Sequence, residues 1–163
     1  MKENLDNYLH HVHYFEDVEH LKSLLDSDYS SASVVYTYGA WDLLHPGHIR
    51  LLARAKSLGD FLIVGVISDK QISDFKGEDR PLQSEDERII TVGSLRMVDA
   101  VISQPIYDPS KQLEILSNVD ILTKGDDWEY IPGQETIAKL GGKLVKLSYT
   151  SGFSTTATVK KLK

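Results

Sequence analysis

The stretch "SVVYTYGAWDLLHPGHIRLLARAKSLGDFLIVGVIS", Ser33 to Ser68, decides the fold. "SVVYTYG" reads as a buried strand ending at Gly39. "GHIRLLARAKSLG" sets Ile49, Leu51, Leu52 and Ala55 in a helical pattern that stops at Gly59. "DFLIVGVIS" is a continuous apolar run, typical of a strand covered on both faces. Between the first strand and the helix lie His45 and His48, flanking Pro46 and Gly47.

The same alternation runs on. "SEDERIITVGSLRMV" opens with Ser84 and acidic residues, an N-cap signature. "DAVISQ" and "VDILTKG" read as short strands, "QETIAKLGG" as a helix with a glycine stop, and "KLVKLSY" as a fifth strand. "STTATVKKLK" opens with capping hydroxyls and closes on lysines, which suit a helix C-terminus. Strands alternating with helices predict an α/β, doubly wound, Rossmann-like fold: a five-stranded parallel sheet with helices on both faces. Ligands in such sheets bind beyond the carboxyl ends of the strands, so the loops after strands one, three, four and five are of interest.

Residues 33–163 form the expected α/β domain, and residues 1–32 an N-terminal extension. In that extension Val18, Leu21, Leu24 and Leu25 share one face of a predicted helix over residues 16–26. His10, His11 and His13 are adjacent there, but neighbouring positions on a helix point apart, and a solvated polar segment is the expected reading.

The chain has 163 residues, enough for one well-buried core. Its 18 Lys and Arg against 24 Asp and Glu give a net charge of −6, which disfavours general nucleic-acid binding. The absence of cysteine excludes disulfides, thiolate catalysis and cysteine-based zinc sites. No run approaches a membrane span and the N-terminus is polar and acidic, so neither membrane insertion nor a signal peptide is expected and the cytoplasm is the expected location.

His45 and His48 are three apart at a helix start. Gly47 permits close approach of backbone to a ligand, and Pro46 suits a helix entry. A helix N-terminus attracts anions, and imidazoles can donate hydrogen bonds there. Packing and zinc binding are the competing readings; zinc lacks cysteine partners and an HExxH context.

"YGAWDLLHPGH" after the first strand, with "TSGFSTTATVKK" more than 100 residues later, resembles the cytidylyltransferase-like nucleotidyltransferases with their HxGH and STT elements. The resemblance covers residues 33–163. The "KG…RP…ER" pattern at Lys76–Gly77, Arg80–Pro81 and Glu87–Arg88 is similar to ethanolamine-phosphate cytidylyltransferases and equally to heptose-phosphate adenylyltransferases. "GDDW", Gly125 to Trp128, is similar to glycerol-3-phosphate cytidylyltransferases. Tyr149 stands where those enzymes carry arginine, a departure shared with the heptose enzymes.

The resemblance implies an enzyme that transfers CMP from CTP to a small phosphorylated alcohol, polyol or amino alcohol, releasing pyrophosphate. The alternative is ATP-dependent adenylyl transfer to a heptose-1-phosphate-like sugar phosphate, and a second alternative is a non-catalytic nucleotide-binding module. It implies Mg²⁺ accompanying the nucleotide, and a homodimer. His45, His48, Lys76 and Arg88 are the implied catalytic residues. For Arg88, periodicity alone leaves a helix-surface arginine as an equal reading. Tyr38, Gly39, Ala40, Trp41, Gly47, Gly125, Asp126, Asp127, Thr150, Ser154 and Thr155 are the implied nucleotide-binding positions. Asp42 is expected to stabilise the first loop, and Arg80 is a weaker phosphate-site candidate. The acceptor's phosphate is largely ionised at neutral pH, with a second pKa of ~6, so no strong general base is expected.

Overall fold

The computed structural model describes residues 12–148, 152, 153, 155, 156 and 159. The strands are β1 Tyr14–Phe15, β2 Val34–Gly39, β3 Phe61–Ile67, β4 Ala100–Gln104, β5 Ile121–Gly125 and β6 Lys143–Leu147. The helices are α1 Val18–Asp28, α2 Pro46–Lys56, α3 Asp69–Lys76, α4 Glu85–Gly93, α5 Ser110–Leu116 and α6 Gln134–Lys139. All strands run parallel, in the order β1-β4-β3-β2-β5-β6.

The sheet therefore has six strands where the sequence pattern predicts five. The extra one, Tyr14–Phe15, pairs with Val101 and Ile102 at the β4 edge. Two residues are too few to show the period-2 alternation by which strands are read. The helix expected over 16–26 is observed as α1, its start set by Asp17, whose carboxylate accepts from the Glu19 amide at 3.0 Å. Helices α3 and α5, of eight and seven residues, are too short for periodicity to reveal them.

Helices lie on both faces, and two apolar clusters show which. One face joins Tyr36, Tyr38 and Leu122 to Leu21 and Leu25 of α1, Leu113 and Leu116 of α5 and Ile137 of α6. The other joins Val35, Val64 and Val101 to Leu52 and Ala55 of α2 and Ile89 and Val92 of α4. Full burial of such side chains stabilises by about 1.5–3 kcal/mol each. The central strand β3 is buried at all seven positions, which explains its unbroken apolar run.

The order of α2 and α4 along the chain positions the site. Pro46 opens α2 with a preset φ. Ser84 and Glu87 form a reciprocal capping box on α4. Chain order reverses between β2 and β5, and the crevice above their carboxyl ends is the expected ligand position in such a sheet.

Candidate active site

A cavity of about 330 Å³ opens at that switch point. Its walls include Tyr38, Gly39, Ala40, Trp41 and Asp42 from the end of β2 and the loop that follows, and His45, Gly47 and His48 from the entry of α2. Gly125 and Asp127 close it from β5, and Lys76 from α3. Thr155 and Thr156, from the start of the chain's last segment, complete it. The HxGH histidines and Thr155 and Thr156 thus face one space. They are also tied together, since the Thr155 hydroxyl donates to the Asp42 carbonyl at 2.8 Å. Thr150, Ser154 and Tyr149 lie outside the described residues, as do His10 and His11.

His45 is the N-cap of α2. Its Nδ1 accepts from the His48 amide at 3.4 Å, which leaves the ring proton on Nε2. The two imidazoles stack, with centroids 3.7 Å apart and planes 18° from parallel. The edge of Trp41 meets His48 at 5.5 Å, and the indole N–H is anchored on the Gly65 carbonyl at 2.9 Å. Gly47 makes the stack possible. A Cβ there would sit 3.0 Å from the His45 ring and 3.3 Å from Phe153 Cβ.

Burial pushes the His48 pKa down to about 3, with the neighbouring His45 and Lys76 adding to the effect and Asp42 opposing it. Burial also lowers His45. Both rings are therefore neutral N–H donors at neutral pH. His48 Nδ1 is buried with no hydrogen-bond partner among the described residues. A neutral imidazole can still donate to phosphate, and a bound polyanion would draw its pKa back up.

The loop that carries the histidines is strained and clamped. Trp41 and Leu43 have φ of 55° and 50°, in the left-handed region that costs a non-glycine residue of order 1–3 kcal/mol. Asp42 between them is 2% exposed and accepts from Arg80 at 2.8 and 3.1 Å and from the Leu82 and Gln83 amides at 3.1 Å. Gln83 answers by accepting from the Leu43 amide at 2.8 Å. Asp42 thus stabilises the loop, and Arg80 is spent on Asp42.

Arg88 requires a correction. It is neither a cavity group nor a helix-surface arginine, being wholly buried under the loop. Its guanidinium donates to the carbonyls of Ala40 at 2.6 Å, Ile67 at 2.8 Å and Gln83 at 3.1 Å, and to Asp69 Oδ1 at 2.6 Å. Periodicity placed Arg88 on the helix correctly in sequence but could not show that three carbonyls converge above that face.

Lys76 does reach the cavity, from the last position of α3, with Gly77 at φ 98° ending the helix. Burial, with Arg80 nearby, lowers its pKa. Gly125 and Asp127 are on the wall, where a Cβ at Gly125 would lie 2.5 Å from Asp127 Oδ1. Asp126 is not on the wall; its amide donates to the Leu147 carbonyl at 2.8 Å, joining the loop to β6.

Lys124, Phe75 and Tyr107 are among the wall residues not singled out in the sequence. Lys124 is 8% exposed, donates to the Tyr38 carbonyl at 2.8 Å, and lies 4.0 Å above the Tyr38 ring. A lysine closing the apolar run "ILTKG" at a strand's carboxyl end was the available signal. The loop that carries Tyr107 was foreseen as a site loop, but nothing in the pattern selected the residue.

Among the described residues no group of three or more His, Cys, Asp or Glu is placed to hold a metal ion. Of the two carboxylates on the cavity wall, Asp42 has its oxygens taken by Arg80 and two amides. Asp127 is the other carboxylate on the wall.

The family description "Cytidylyltransferase-like" matches residues 36–160, which includes both the HxGH and the STT elements. The chain belongs to the cytidylyltransferase-like family of nucleotidyltransferases. Curated relatives named "Bifunctional protein HldE" are similar: that of Campylobacter concisus is 37% identical over 93% of this chain, and that of Citrobacter koseri 41% identical over 79%. The chain spans 31% and 27% of their lengths. A solved lipopolysaccharide core biosynthesis protein from Thermoplasma volcanium is 31% identical, covering 74% of this chain and all of its own, with a TM-score of 0.63. The pantoate–β-alanine ligase of Francisella tularensis, 16% identical with a TM-score of 0.52 over 84% of this chain and 67% of its own, shares the fold alone. No helix among the described residues is long and apolar enough to cross a membrane.

Proposed function

We propose that this cytidylyltransferase-like chain transfers AMP from ATP to the phosphate of an aldose 1-phosphate of the heptose 1-phosphate kind, releasing pyrophosphate and forming an ADP-sugar. The observation that carries nucleotidyl transfer is the stacked His45–His48 pair, opening at a helix N-terminus into the same cavity as Lys76 and Thr155. The choice of ATP and sugar over CTP and a small alcohol is supported by the HldE relatives and by the 31% identical lipopolysaccharide core biosynthesis protein. The "KG…RP…ER" pattern agrees with both.

The acceptor phosphate oxygen attacks the α-phosphorus, and the bond from the α-phosphorus to the bridging oxygen of the leaving pyrophosphate breaks. The acceptor arrives ionised, so no side chain need remove a proton. The work is electrostatic: two polyanions meet and a third leaves. His45 and His48 donate to the α- and β-phosphates, and the backbone from Gly39 to Trp41 supplies further N–H groups. Lys76 adds positive charge between the two substrates. Thr155, with Ser154 and Thr150, serves the β- and γ-phosphates. Gly125 and Asp127 border the nucleoside. Mg²⁺, when bound with the nucleotide, would supply further charge neutralisation. Fixing these groups in advance converts binding into rate. A homodimer working in the cytoplasm completes the reading, and sedimentation analysis tests the dimer.

A second reading, CMP transfer to a glycerol-3-phosphate-like acceptor, is favoured by the "GDDW" element, two of whose residues line the cavity. Pyrophosphate release is measured with ATP and with CTP, each against mannose 1-phosphate, glucose 1-phosphate and glycerol 3-phosphate. Release with ATP and an aldose 1-phosphate is expected. Release only with CTP, or only with glycerol 3-phosphate, transfers the conclusion to the second reading. No release with any pair leaves a nucleotide-binding module.

A further inference from the structure

The cavity straddles the carboxyl edge of the sheet, and its two sides differ in chemistry. The histidines stand at the entry of α2, on the face that α2 and α4 cover. Tyr38 belongs to the opposite face, with α5 and α6, and Lys124 follows the same alternation as Leu122, which packs there. On that second side Lys124 Nζ lies 4.0 Å from the Tyr38 ring centroid and 5.1 Å from that of Trp128. Trp128 is followed outward by Tyr107 at 6.2 Å, and Tyr107 by Phe75 at 4.7 Å. The result is a wall of aromatic rings with one ammonium at its base.

Both cations on the wall lack an ion pair with any carboxylate among the described residues, although five such pairs form elsewhere. Burial holds the Lys124 pKa down to about 7, with Asp127 opposing. The nearby charge of Lys76 adds to the lowering of the Lys124 pKa. A dianion placed beside Lys124 restores its charge. The rings are tilted by 36° and 51° from one another, so they form no parallel slot for a planar base. Tilted rings instead suit the C–H faces of a puckered sugar. The wall is prebuilt: Gln104, held by the Tyr36 hydroxyl at 2.7 Å, donates to the carbonyls of Ile106 at 2.9 Å and Tyr107 at 3.3 Å. Phe75 is 68% exposed and lines the cavity.

We propose that Lys124 binds the phosphate of the acceptor, and that Phe75, Tyr107 and Trp128 form the platform for the acceptor's sugar ring, apart from the histidine side that takes the triphosphate. The assignment rests on the nucleotidyl-transfer reading above, and it deepens that reading by fixing where the second substrate lies.

The test compares wild type with Lys124→Met and with Phe75→Ala, the latter on an exposed helix position where folding is not at stake. Steady-state KM is measured separately for the nucleotide and for the acceptor, using whichever nucleotide and acceptor of the panel above give wild-type turnover. Calorimetric titration of mannose 1-phosphate, D-mannose and ATP is run in parallel without turnover. Lys124→Met is expected to raise the acceptor KM at least tenfold and to shift the nucleotide KM less than threefold. Phe75→Ala is expected to raise the acceptor KM at least threefold with the same nucleotide KM. Mannose 1-phosphate should bind wild type more tightly than D-mannose, with the difference lost in Lys124→Met. An unchanged acceptor KM in Lys124→Met overturns the proposal. So does a nucleotide KM that rises as much as the acceptor's, since Lys124 would then serve the nucleotide, and so does equal binding of mannose 1-phosphate and D-mannose by wild type. Turnover with CTP and glycerol 3-phosphate would end the adenylyl reading, yet the KM split would still decide the role of Lys124.

Discussion

Arg88 and Lys124 are both buried cations, 0% and 8% exposed, housed in opposite ways. Arg88 meets three backbone carbonyls and the Asp69 carboxylate, so every part of its fork is engaged. Lys124 has one carbonyl and two ring faces. A buried charge without compensation is costly, and folds retain it only where something else is gained. The satisfied cation is framework: it fixes the loop between β2 and α2 from below. The undersatisfied one faces the cavity, as does His48, whose Nδ1 has no partner among the described residues. Incomplete satisfaction thus separates residues that hold the site from residues that face the open cavity.

That contrast can be broken most forcefully at Arg88. Replacing it with methionine keeps the bulk and strands three carbonyls, so about 3–5 kcal/mol of stability should be lost, as for other buried charges stripped of a partner. Urea denaturation measures it. Unchanged stability with abolished turnover would return Arg88 to the phosphate ligands.

His48→Ala should do the reverse. Turnover should fall ~10²–10³-fold, the usual loss for a donor aimed at developing charge, while the thermal midpoint stays within a few degrees. Wild-type turnover in this variant would remove His48 from the chemistry.

Lys124 adds a pH signature. Its folded pKa is about 7, against ~10.4 for an unfolded lysine. Between those values the unfolded chain binds more protons, so stability should rise with pH across that window. Below about pH 7 the burial penalty is fully present. Lys124→Met should flatten that rise and gain about 1–4 kcal/mol near neutrality. Parallel pH–stability curves for the two proteins would show that Lys124 carries no such penalty.

The smallest effect is a control on the framework side. Ser84→Ala removes one half of the α4 capping box and should cost ~1 kcal/mol with kcat and KM unchanged. Chemical denaturation and the pyrophosphate assay check it together.

Much of this was legible in the chain. The continuous run of β3, the start of α2 at Pro46 and the Ser84 capping box are local signals, and the folded elements follow them closely. The histidine pair was legible because its spacing fixes both rings on one helix entry. Asp42 was correctly expected to steady its loop, although its partners Arg80, Leu82 and Gln83 lie 38–41 positions away. What escaped was set by distant contacts. The strand Tyr14–Phe15 exists because β4 offers an edge. Arg88 is buried because Ala40, Ile67 and Gln83 converge on it.

By itself the sequence determined the α/β alternation, the position of the histidine-bearing helix entry and the family to which the chain belongs. These rest on residues near one another in the chain, where periodicity, capping and short motifs act. Only the tertiary structure decided which cations are framework and which are exposed to a ligand, and that Phe75, Tyr107 and Trp128 share a wall with Lys124. A charge's role depends on whether its hydrogen bonds are filled by the protein, and the groups that fill them come from strands and loops far apart in the chain.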